Sequence, residues 1–578
     1  MRADALSAHL RHEYRTDFCG GRRLRIMKTD YGRLGGEALK RLEESAQGAD
    51  ATQTKFLLDW LNENKDTEFG KRHGFAQINS PWEYQDKVPL FSYEDYARDI
   101  ERIIDGEKNI LTARDAVYFC VSSGTVSDEK YIPLTGYDLE AHYIFMYGAV
   151  FGQIRDYYKE LSEKDIFGKI FQTGEFAKTY MPDGRMSGIR SSCVYQWLDE
   201  NGGFDASDYC VPKEILFPET PEDKLYLKVR FALAERNITA IHGVFINRIA
   251  GVTEYILHNW ELLLNDIEYG TVSVEIPEEQ RRYIAGKLPP DPERAGELRR
   301  IPRENLSDGI IGKIWKNVKY ILAIGGDCFS YYTGKMRGYA GDIPLHHFVY
   351  AASEGVFGLA EHVDSPDRYM LLPESVFFEF MPVGEDKRPL LMGEVEIGGK
   401  YELIVTNRSG LYRYRLGDVV RVVGRHKKAP VVKFCYRRNQ VINVAGEKSN
   451  RQQLDTAVKR FAGLTRTEVV EYCVREDFSG IAPGYLFYME CRNAPRNVAG
   501  IFERCMCEAN PEYRACRNTR EIKPLRIEYL REGSFKRYER MLAESGREMA
   551  QSKIPHFLNT EEKKKFFAAQ VMGGEEKV

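Results

Sequence analysis

A short polar loop near residue 122 has the residue types that a phosphate-binding site requires. In the segment YFCVSSGTVSDEKYIP, which begins at Tyr118, a β-prone run is followed by small and hydroxyl residues at 122–125 and then by Lys130. Small residues let main-chain N–H groups approach an anion, hydroxyls donate hydrogen bonds, and lysine adds a positive charge. The spacing therefore indicates a phosphate-binding loop, although a Ser/Gly/Thr loop considered alone is more often an ordinary turn.

Two carboxylates follow strand-like runs further along the chain. Asp418 lies in GLYRYRLGDVV, where a Gly-Asp pair is typical of a turn between strands, and its carboxylate could accept hydrogen bonds from both hydroxyls of a ribose. Glu354 lies in AASEG after an apolar run, and a carboxylate there could hold Mg²⁺ that bridges phosphates. A structural turn aspartate and a helix-capping glutamate are the alternatives for these two residues.

The signature motifs of several other enzyme classes are missing from the sequence. No GxxxxGK[ST], GxSxG, HExxH, GxGxxG or paired CxxC occurs, which argues against P-loop NTPases, α/β-hydrolases, zincins, Rossmann dehydrogenases and zinc ribbons. Near the end of the chain, Lys553 stands in QSKIPHF before a proline that stops a helix. These exclusions leave ATP chemistry of another kind.

Composition and charge restrict the partners and the compartment. The 83 Lys+Arg and 86 Asp+Glu nearly cancel to a net charge of −3, so we expect no nucleic acid and no membrane among the partners. The 11 cysteines have no disulfide-framework spacing, and no long apolar segment or signal peptide occurs, so we expect reduced thiols in the cytoplasm. The polar, Arg-rich residues 1–26 are interpreted as a disordered arm or a misassigned start.

The hydrophobic patterns predict an α/β fold. Residues 57–61 and the span 241–260 have helical spacing, and VKYILAIGGD at 318–327 reads as a buried strand that runs into a turn. The run Ile343–Tyr350 reads as a strand that places Ser353 and Glu354 beyond its carboxyl end, where open α/β sheets bind ligands. Residues 400–423 form two strand-like runs around Asn407–Gly410 and a third after the turn at 417–418.

The basic, polar stretch at 436–439 is the main expected domain boundary. We therefore expect an N-terminal domain over 27–438 and a small C-terminal α+β domain over 439–578. In the latter, the patterns predict a helix after Asn450, strands near 468–474 and 484–492, a helix near 497–510, a strand at 525–530 and a helix from Ser534.

Taken in order, these segments resemble the Gretchen Hagen family of acyl-acid amido synthetases within the adenylate-forming superfamily. The resemblance extends over most of the chain and includes the segments FGKRHGF, VPLFSYEDY, SSGT…KYIP, HNWELLLNDIEYG, GDIPLHHFVYAASEGVFG, YELIVTNRSGLYRYRLGDVVRVVG and QSKIPHF. It implies a luciferase-like fold, in which residues 27–438 bind ATP and the acyl acid within a large body of α/β sheets and a distorted β-barrel. Residues 439–578 would form a small mobile C-terminal lid. It also implies ATP and Mg²⁺ as cofactors, a small carboxylic acid and an amino acid as substrates, and a monomeric enzyme.

The resemblance also implies roles for particular residues. The β- and γ-phosphates would be bound by Ser122, Ser123, Gly124, Thr125 and Lys130, and the adenine and α-phosphate side would be lined by Tyr350, Ala352, Ser353 and Glu354. Glu354 would lie near the magnesium, Asp418 would hold the ribose, Arg437 would lie at the hinge, and Lys553 would reach the site from the lid. The catalytic residues among these would be Lys553, Lys130 and Glu354.

One departure from the family pattern keeps alternatives open. The family usually has a further Thr or Ser and a second glycine after SSGT, whereas Val126, Ser127, Asp128 and Glu129 precede the lysine here. An acyl-CoA ligase-like adenylating enzyme and a nucleotide- or small-acid-binding pseudoenzyme are therefore the alternatives to an amido synthetase. The acid is not specified by the sequence, and the large apolar and aromatic residues Tyr143, Phe145, Met146 and Tyr147 are either pocket walls or core.

Overall fold

The computed structural model describes most of the chain from residue 31 onward. It excludes residues 1–30, 123–129, 175, 177–178, 201–203, 218–224, 303–307, 326–329, 366, 384–387, 438–441, 448, 450, 481, 494–497, 545–555, 559 and 573–578. The expected arm at 1–26, most of the predicted phosphate loop and Lys553 therefore lie outside the described residues. No helix in the described part of the chain is long and apolar enough to cross a membrane.

The described strands form four sheets. The strands are β1 Ala116–Ser122, β2 Lys130–Thr135, β3 Lys169–Gln172, β4 Thr179–Tyr180, β5 Met186–Gly188, β6 Ile238–Phe245, β7 Tyr320–Ile324, β8 Leu345–His346, β9 Val349–Ala352, β10 Gly355–Ala360, β11 Tyr369–Leu371, β12 Phe377–Pro382, β13 Lys400–Thr406, β14 Tyr414–His426, β15 Ala429–Arg437, β16 Glu468–Asp477, β17 Gly484–Arg492 and β18 Arg526–Tyr529. The hydrogen-bonding orders are β2-β1-β5-β4, β3-β6-β7-β8, β12-β13-β14-β15-β11-β10-β9 and β16-β17-β18.

The described α-helices pack around these sheets. They are α1 Tyr31–Gln47, α2 Ala49–Glu63, α3 Glu68–Arg72, α4 Pro81–Lys87, α5 Tyr93–Ile104, α6 Gly136–His142, α7 Ala149–Tyr157, α8 Glu163–Ile166, α9 Arg190–Glu200, α10 Lys213–Leu216, α11 Leu225–Ala234, α12 Ile246–His258, α13 Trp260–Tyr269, α14 Glu278–Lys287, α15 Pro292–Arg299, α16 Ile310–Ile314, α17 Ser330–Ala340, α18 Arg451–Thr465, α19 Ala499–Ala509, α20 Pro511–Asn518, α21 Ser534–Glu544 and α22 Glu561–Ala569.

The sheets differ in whether their neighbouring strands run parallel or antiparallel, as the mixed fold requires. Strands β3, β6, β7 and β8 are parallel throughout, and the apolar run of β6 is buried along most of its length, as is usual for a parallel strand covered on both faces. The seven strands of the largest sheet are all antiparallel to their neighbours. The α/β class predicted from the sequence is confirmed.

Several predicted elements are confirmed at their expected positions. The apolar spacing around residue 57 belongs to α2, whose buried face includes Leu57, Trp60 and Leu61. The strand predicted within 318–327 is β7, and the predicted helices and strands of the C-terminal part are present as α18, β16, β17, α19, β18 and α21. Local sequence patterns suffice for the helices because their apolar positions recur every three to four residues, and for β7 because its apolar run is short and is followed by two glycines.

Three predictions about secondary structure are wrong. Residues 241–245 belong to the buried strand β6 and not to a helix, because an apolar run has no period that distinguishes the two. The run Ile343–Tyr350 contains parts of two strands, β8 in the parallel sheet and β9 in the antiparallel one. Asp418 lies inside the long strand β14 and not in a turn between strands.

The position of Asp418 inside a strand, and not in a turn, has a clear cause in the backbone. Glu402 pairs with Val419, whereas Ile404, two residues along β13, pairs with Arg415, so Leu416 to Asp418 stand opposite a single residue of β13. Gly417 adopts a φ of 79°, which glycine tolerates at a bulge as readily as at a turn. The Gly-Asp pair therefore forms a β-bulge within a continuous strand.

Residues beyond β15 also contact the earlier part of the chain. The fully buried Asn247, at the start of α12, donates from Nδ2 to the main-chain oxygen of Ala445 at 2.7 Å and to Glu521 Oε2 at 3.2 Å. Glu447 accepts the N–H groups of Val444 and Ala445 at 2.8 and 2.7 Å, which fixes this contact segment.

Candidate functional site

The turn between β9 and β10 presents two of the predicted site residues. Gly355 pairs with Ala352 in the antiparallel hairpin, so Ser353 and Glu354 form its tip. Glu354 is 6% exposed, and its main-chain oxygen accepts a hydrogen bond from Asn407 Nδ2 at 2.8 Å. The sequence correctly predicted that these residues follow a strand, but the strand belongs to an antiparallel hairpin and not to the edge of a parallel sheet.

Tyr350 and Asp418 meet although their strands are not neighbours. The Tyr350 hydroxyl donates to Asp418 Oδ2 at 2.7 Å, and both residues are buried. In the hydrogen-bonding order β14 and β9 are separated by β15, β11 and β10, which in a flat sheet would put the two strands about 19 Å apart. The sheet must therefore curl strongly, as the expected distorted barrel requires.

Arg437 is placed beside the same aspartate by strand pairing. It is the last residue of β15, and its register partner on β14 is Asp418. Its side chain lies outside the described residues. Tyr350, Asp418 and the main chain of Arg437 therefore converge at one end of the curled sheet.

The predicted phosphate loop begins and ends beside this turn. Ser122 and Lys130 are register partners at the ends of β1 and β2, so the chain between them is a hairpin connection. Two residues earlier on β1, burial raises the pKa of the Cys120 thiol to about 11, an effect that a hydrogen bond with the Ser353 hydroxyl partly opposes. That hydrogen bond shows that β1 runs next to the Ser353–Glu354 turn.

Lys130 has partners of its own on the neighbouring helix α5. Its ammonium lies 3.2 Å from Glu94 Oε1 and 4.6 Å from the centre of the Tyr93 ring. The Tyr93 hydroxyl in turn accepts the Tyr131 N–H at 3.0 Å, so the foot of the hairpin is fixed to this helix.

The structure thus brings together part of the predicted set. Within the described residues, Tyr350, Ala352, Ser353, Glu354, Asp418 and the backbone of Ser122, Lys130 and Arg437 lie in one region. Ser123, Gly124, Thr125 and Lys553 lie outside the described residues, as does the side chain of Ser122.

The four candidate pocket residues between 143 and 147 separate into two groups. Residues 143–148 form one π-helical segment between α6 and α7, an irregularity that is frequent at functional sites. Phe145 and Met146 are buried in the core, whereas Tyr143 and Tyr147 are half-buried, with ring centres 6.2 Å apart. Of the four residues, only these two tyrosines remain candidates for pocket walls.

Sequence reasoning missed a buried cluster behind the Ser353–Glu354 turn. Arg190, the first residue of α9, donates to Asp138 Oδ2 at 2.5 Å, to His142 Nδ1 at 3.1 Å and to the main-chain oxygen of Ser353 at 3.0 Å. Burial and the charge of Arg190 lower the pKa of His142 well below its usual value, so the imidazole is neutral. No motif joins these residues in the sequence, so only the tertiary structure reveals them.

The donor set suits a magnesium ion that is bound together with phosphates. Among the described residues no group of three or more His, Cys, Asp or Glu side chains could hold a metal by itself. A single buried carboxylate, Glu354, at the tip of a hairpin is instead the arrangement in which magnesium takes its remaining ligands from phosphate and water. The nine described cysteines are free thiols.

Comparisons with known proteins agree with this geometry. Three models of one family match in order: the GH3 family N-terminal domain over 38–345, the central domain over 369–437 and the C-terminal domain over 452–562. The probable indole-3-acetic acid-amido synthetase GH3.1 of Arabidopsis thaliana is 29% identical over 90% of this chain and 91% of its own length. The indole-3-acetic acid-amido synthetase GH3.8 of Oryza sativa subsp. indica is also 29% identical, over 90% of each chain.

Solved structures give the same result. The acyl acid amido synthetase GH3.15 in complex with 2,4-DB superimposes with a TM-score of 0.64 at 25% identity and covers 94% of this chain and 98% of its own. A second structure of the GH3.15 enzyme has a TM-score of 0.62. Since one family model alone spans more than half of the sequence, the chain belongs to the GH3 family.

Proposed function

We propose that this chain is an ATP-dependent acyl-acid amido synthetase, which activates a carboxylic acid as an acyl-adenylate and transfers the acyl group to the amine of an amino acid. The observation that supports this best is the convergence of Tyr350, Asp418 and the Ser353–Glu354 turn at one end of the curled sheet. Amido synthetases among its relatives, each matched over about 90% of both chains, support the same class of reaction.

In the first step a carboxylate oxygen of the acid attacks the α-phosphorus of ATP. A new P–O bond forms to the acyl group, and the bond to the β-phosphate oxygen breaks, so pyrophosphate leaves with the electron pair. Asp418 binds the ribose hydroxyls and thereby aligns the α-phosphorus, while Ser353 contacts the α-phosphate. Lys130 and the amides of residues 122–125 stabilise the negative charge that accumulates on the leaving pyrophosphate.

Glu354 is the residue that would hold a magnesium ion at this site. When bound, the ion neutralises phosphate charge and polarises the phosphoryl oxygens. The carboxylate suits this task because it is buried and because its main chain is fixed by Asn407, so it needs little reorganisation when substrates bind.

In the second step the amine nitrogen attacks the acyl carbon, and AMP leaves with the electrons of the acyl C–O bond. The attacking nitrogen is the unprotonated amine, and it releases one N–H proton to solvent as the amide forms. We propose that residues 27–438 form the body and residues 439–578 the mobile lid, that the lid rotates about Arg437 and Arg438, and that Lys553 acts from the lid during adenylation. Such closure excludes water, which would otherwise hydrolyse the adenylate.

The proposal also includes the class of acid substrate, the oligomeric state and the compartment of the enzyme. We propose a small aryl, indole-type or fatty acid as the first substrate, with Tyr147 and Tyr143 lining its pocket. We further propose that the enzyme acts as a monomer in the cytoplasm, which suits its free thiols and nearly balanced charge.

Acid-dependent ATP–pyrophosphate exchange tests the adenylation step. The purified full-length chain is assayed with labelled pyrophosphate and a panel of aryl, indole-type and fatty acids. Glu354→Gln and Lys553→Ala serve as matched variants. We expect exchange with at least one acid and a fall of about 10²–10³-fold in either variant.

The outcomes of this assay separate the alternatives. Nucleotide binding without exchange for any acid would indicate the pseudoenzyme, in which Asp128 and Glu129 repel the phosphates. Unchanged exchange in Lys553→Ala would contradict the role of the lid lysine. Thioester formation with coenzyme A in place of amide formation would instead support an acyl-CoA ligase.

A further inference from the structure

Arg190 joins three elements of the fold at one buried point. Its guanidinium bonds to Asp138 in the first turn of α6, to His142 at the end of α6 and to the Ser353 carbonyl at the tip of the β9–β10 hairpin. The side chains of Arg190 and Asp138 are 7% and 4% exposed. Among the described residues, the buried carboxylate of Asp138 is the ion-pair partner of Arg190.

The hydrogen bond from Arg190 to the Ser353 carbonyl holds the turn that carries two residues of the proposed site. A charged guanidinium makes one of the stronger hydrogen bonds to a carbonyl, and its planar fork fixes direction as well as distance. Because Arg190 donates to the carbonyl of Ser353, it holds the turn through the main chain and not through the Ser353 side chain. His142 Nδ1 accepts a hydrogen bond from the Arg190 Nε–H group, so the proton of the neutral imidazole is on Nε2.

A second clamp holds the adjacent carbonyl from the opposite element. Asn407, which follows β13 and is fully buried, donates from Nδ2 to the Glu354 oxygen at 2.8 Å. Its Oδ1 accepts the N–H groups of Ser409 and Leu411, each at 3.0 Å, so the amide orientation is determined by its neighbours. The two consecutive carbonyls of the turn are thus tied to α9 on one side and to the β13–β14 connection on the other.

We infer that Arg190 is a positioning residue for adenylation, which acts with Asn407 to hold the Ser353–Glu354 turn where the α-phosphate and magnesium are bound. This inference rests on the proposed function, and it adds residues that touch neither substrate. A displacement of about 1 Å in such a turn is enough to lower the rate about 10²-fold.

Arg190→Lys tests the inference because it keeps the charge and removes the fork. Lysine can still pair with Asp138, but a single ammonium cannot also reach His142 and the Ser353 carbonyl in the same geometry. We expect a fall of about 10–100-fold in the exchange rate and a rise of about tenfold in the Mg²⁺ concentration for half-maximal exchange. A purely structural role would lower thermal stability without moving the magnesium dependence.

Arg294→Lys is the matched control. Arg294 is also buried, donates to two main-chain carbonyls, those of Leu233 and Ile314, at 2.8 and 3.0 Å, and pairs with one acid, Glu297, at 3.0 Å. It lies on α15, among residues that have no part in the proposed site. We expect this control to be destabilised while its exchange rate and magnesium dependence stay within about twofold of the wild type.

A second variant keeps the inference testable if Arg190→Lys does not fold. Asn407→Asp retains the acceptor for Ser409 and Leu411 but cannot donate to the Glu354 carbonyl, so the same rise in magnesium requirement is expected. The inference would be overturned if the Mg²⁺ concentration for half-maximal exchange rose no more in Arg190→Lys and Asn407→Asp than in Arg294→Lys. That result would leave the proposed function intact. A wild-type chain without exchange would contradict the proposed function itself, and this inference with it.

Discussion

Replacement of Asp418 tests the proposed ribose site, and the size of the expected rise in the KM for ATP follows from the hydrogen bonds of its carboxylate. The carboxylate is 6% exposed and accepts the Tyr350 hydroxyl at 2.7 Å, so it is held in place before ATP binds. Asp418→Asn keeps the shape and one acceptor but loses the charge. A hydrogen bond to a charged group contributes about 1.5–3 kcal/mol, and each 1.4 kcal/mol is a factor of ten.

We therefore expect the KM for ATP to rise about tenfold in Asp418→Asn and about 10²-fold in Asp418→Ala, where the Tyr350 hydroxyl also loses its acceptor. The kcat for exchange should change much less, because the aspartate positions the nucleotide and takes no part in bond formation. The assay is ATP–pyrophosphate exchange with a saturating concentration of the acid that the panel identifies.

Asp266→Asn is the control for this prediction. Asp266 is a fully buried aspartate on α13 that accepts the Tyr226 hydroxyl at 2.8 Å, so the substitution removes an equivalent charge away from the proposed site. It should lower stability and leave the KM for ATP near the wild-type value. An unchanged KM for ATP in Asp418→Ala, or an equal rise in Asp266→Asn, would refute the assignment of the ribose site.

Three further predictions concern magnesium, a buried ion pair and pH. Glu354→Gln should raise the Mg²⁺ concentration needed for half-maximal exchange, because an amide binds the ion more weakly than a carboxylate; a magnesium titration measures this. Glu379→Gln should lower the free energy of unfolding by about 3–5 kcal/mol in urea titrations, because the buried guanidinium of Arg413, now 2.8 Å from the Glu379 carboxylate, would lose its counter-charge. Burial raises the pKa of Glu447 from 4.5 to about 7, so the folded state binds the proton more tightly than the unfolded chain. Its stabilising contribution is therefore present below pH 4.5 and falls by about 3 kcal/mol as the pH rises to about 7. Glu447→Gln should remove this part of the pH dependence.

Each of these predictions has a contrary outcome. An unchanged magnesium titration in Glu354→Gln would exclude the proposed metal contact. A loss below about 1 kcal/mol in Glu379→Gln would mean that water or another acceptor compensates Arg413. A wild-type stability that is constant from pH 4.5 to 7, or a Glu447→Gln variant with the same pH profile as the wild type, would contradict the raised pKa.

The sequence was sufficient for elements whose apolar period is local. The helix around Leu57 needed no tertiary information, because its apolar positions recur at helical spacing. The strand predicted within 318–327 was recognisable because its apolar run is too short for a typical helix and is followed by two glycines. The strand over Ile343–Tyr350 failed for the opposite reason. Its residues belong first to β8 in the parallel sheet and then to β9 in the antiparallel sheet. Hydrophobicity alone does not predict which sheet a residue joins.

The site was predictable only in part. The turn at Ser353 and Glu354 and the ends of the loop at Ser122 and Lys130 were visible as local motifs. The contact between Tyr350 and Asp418 depends on the curl of a seven-stranded sheet, which no local pattern encodes. The Arg190 clamp on Ser353 spans 163 residues of sequence and has no motif at either end, so it became visible only when the chain was folded.

Product analysis tests the central claim most directly. The full-length chain is incubated with MgATP, the acid that supports exchange, a mixture of amino acids and, in a parallel reaction, coenzyme A, and the products are identified by mass spectrometry. The proposed function predicts one equivalent of AMP and of pyrophosphate for each N-acyl amino acid formed, and no thioester. A thioester as the sole acyl product, or no acyl product from an acid that supports exchange, would contradict it.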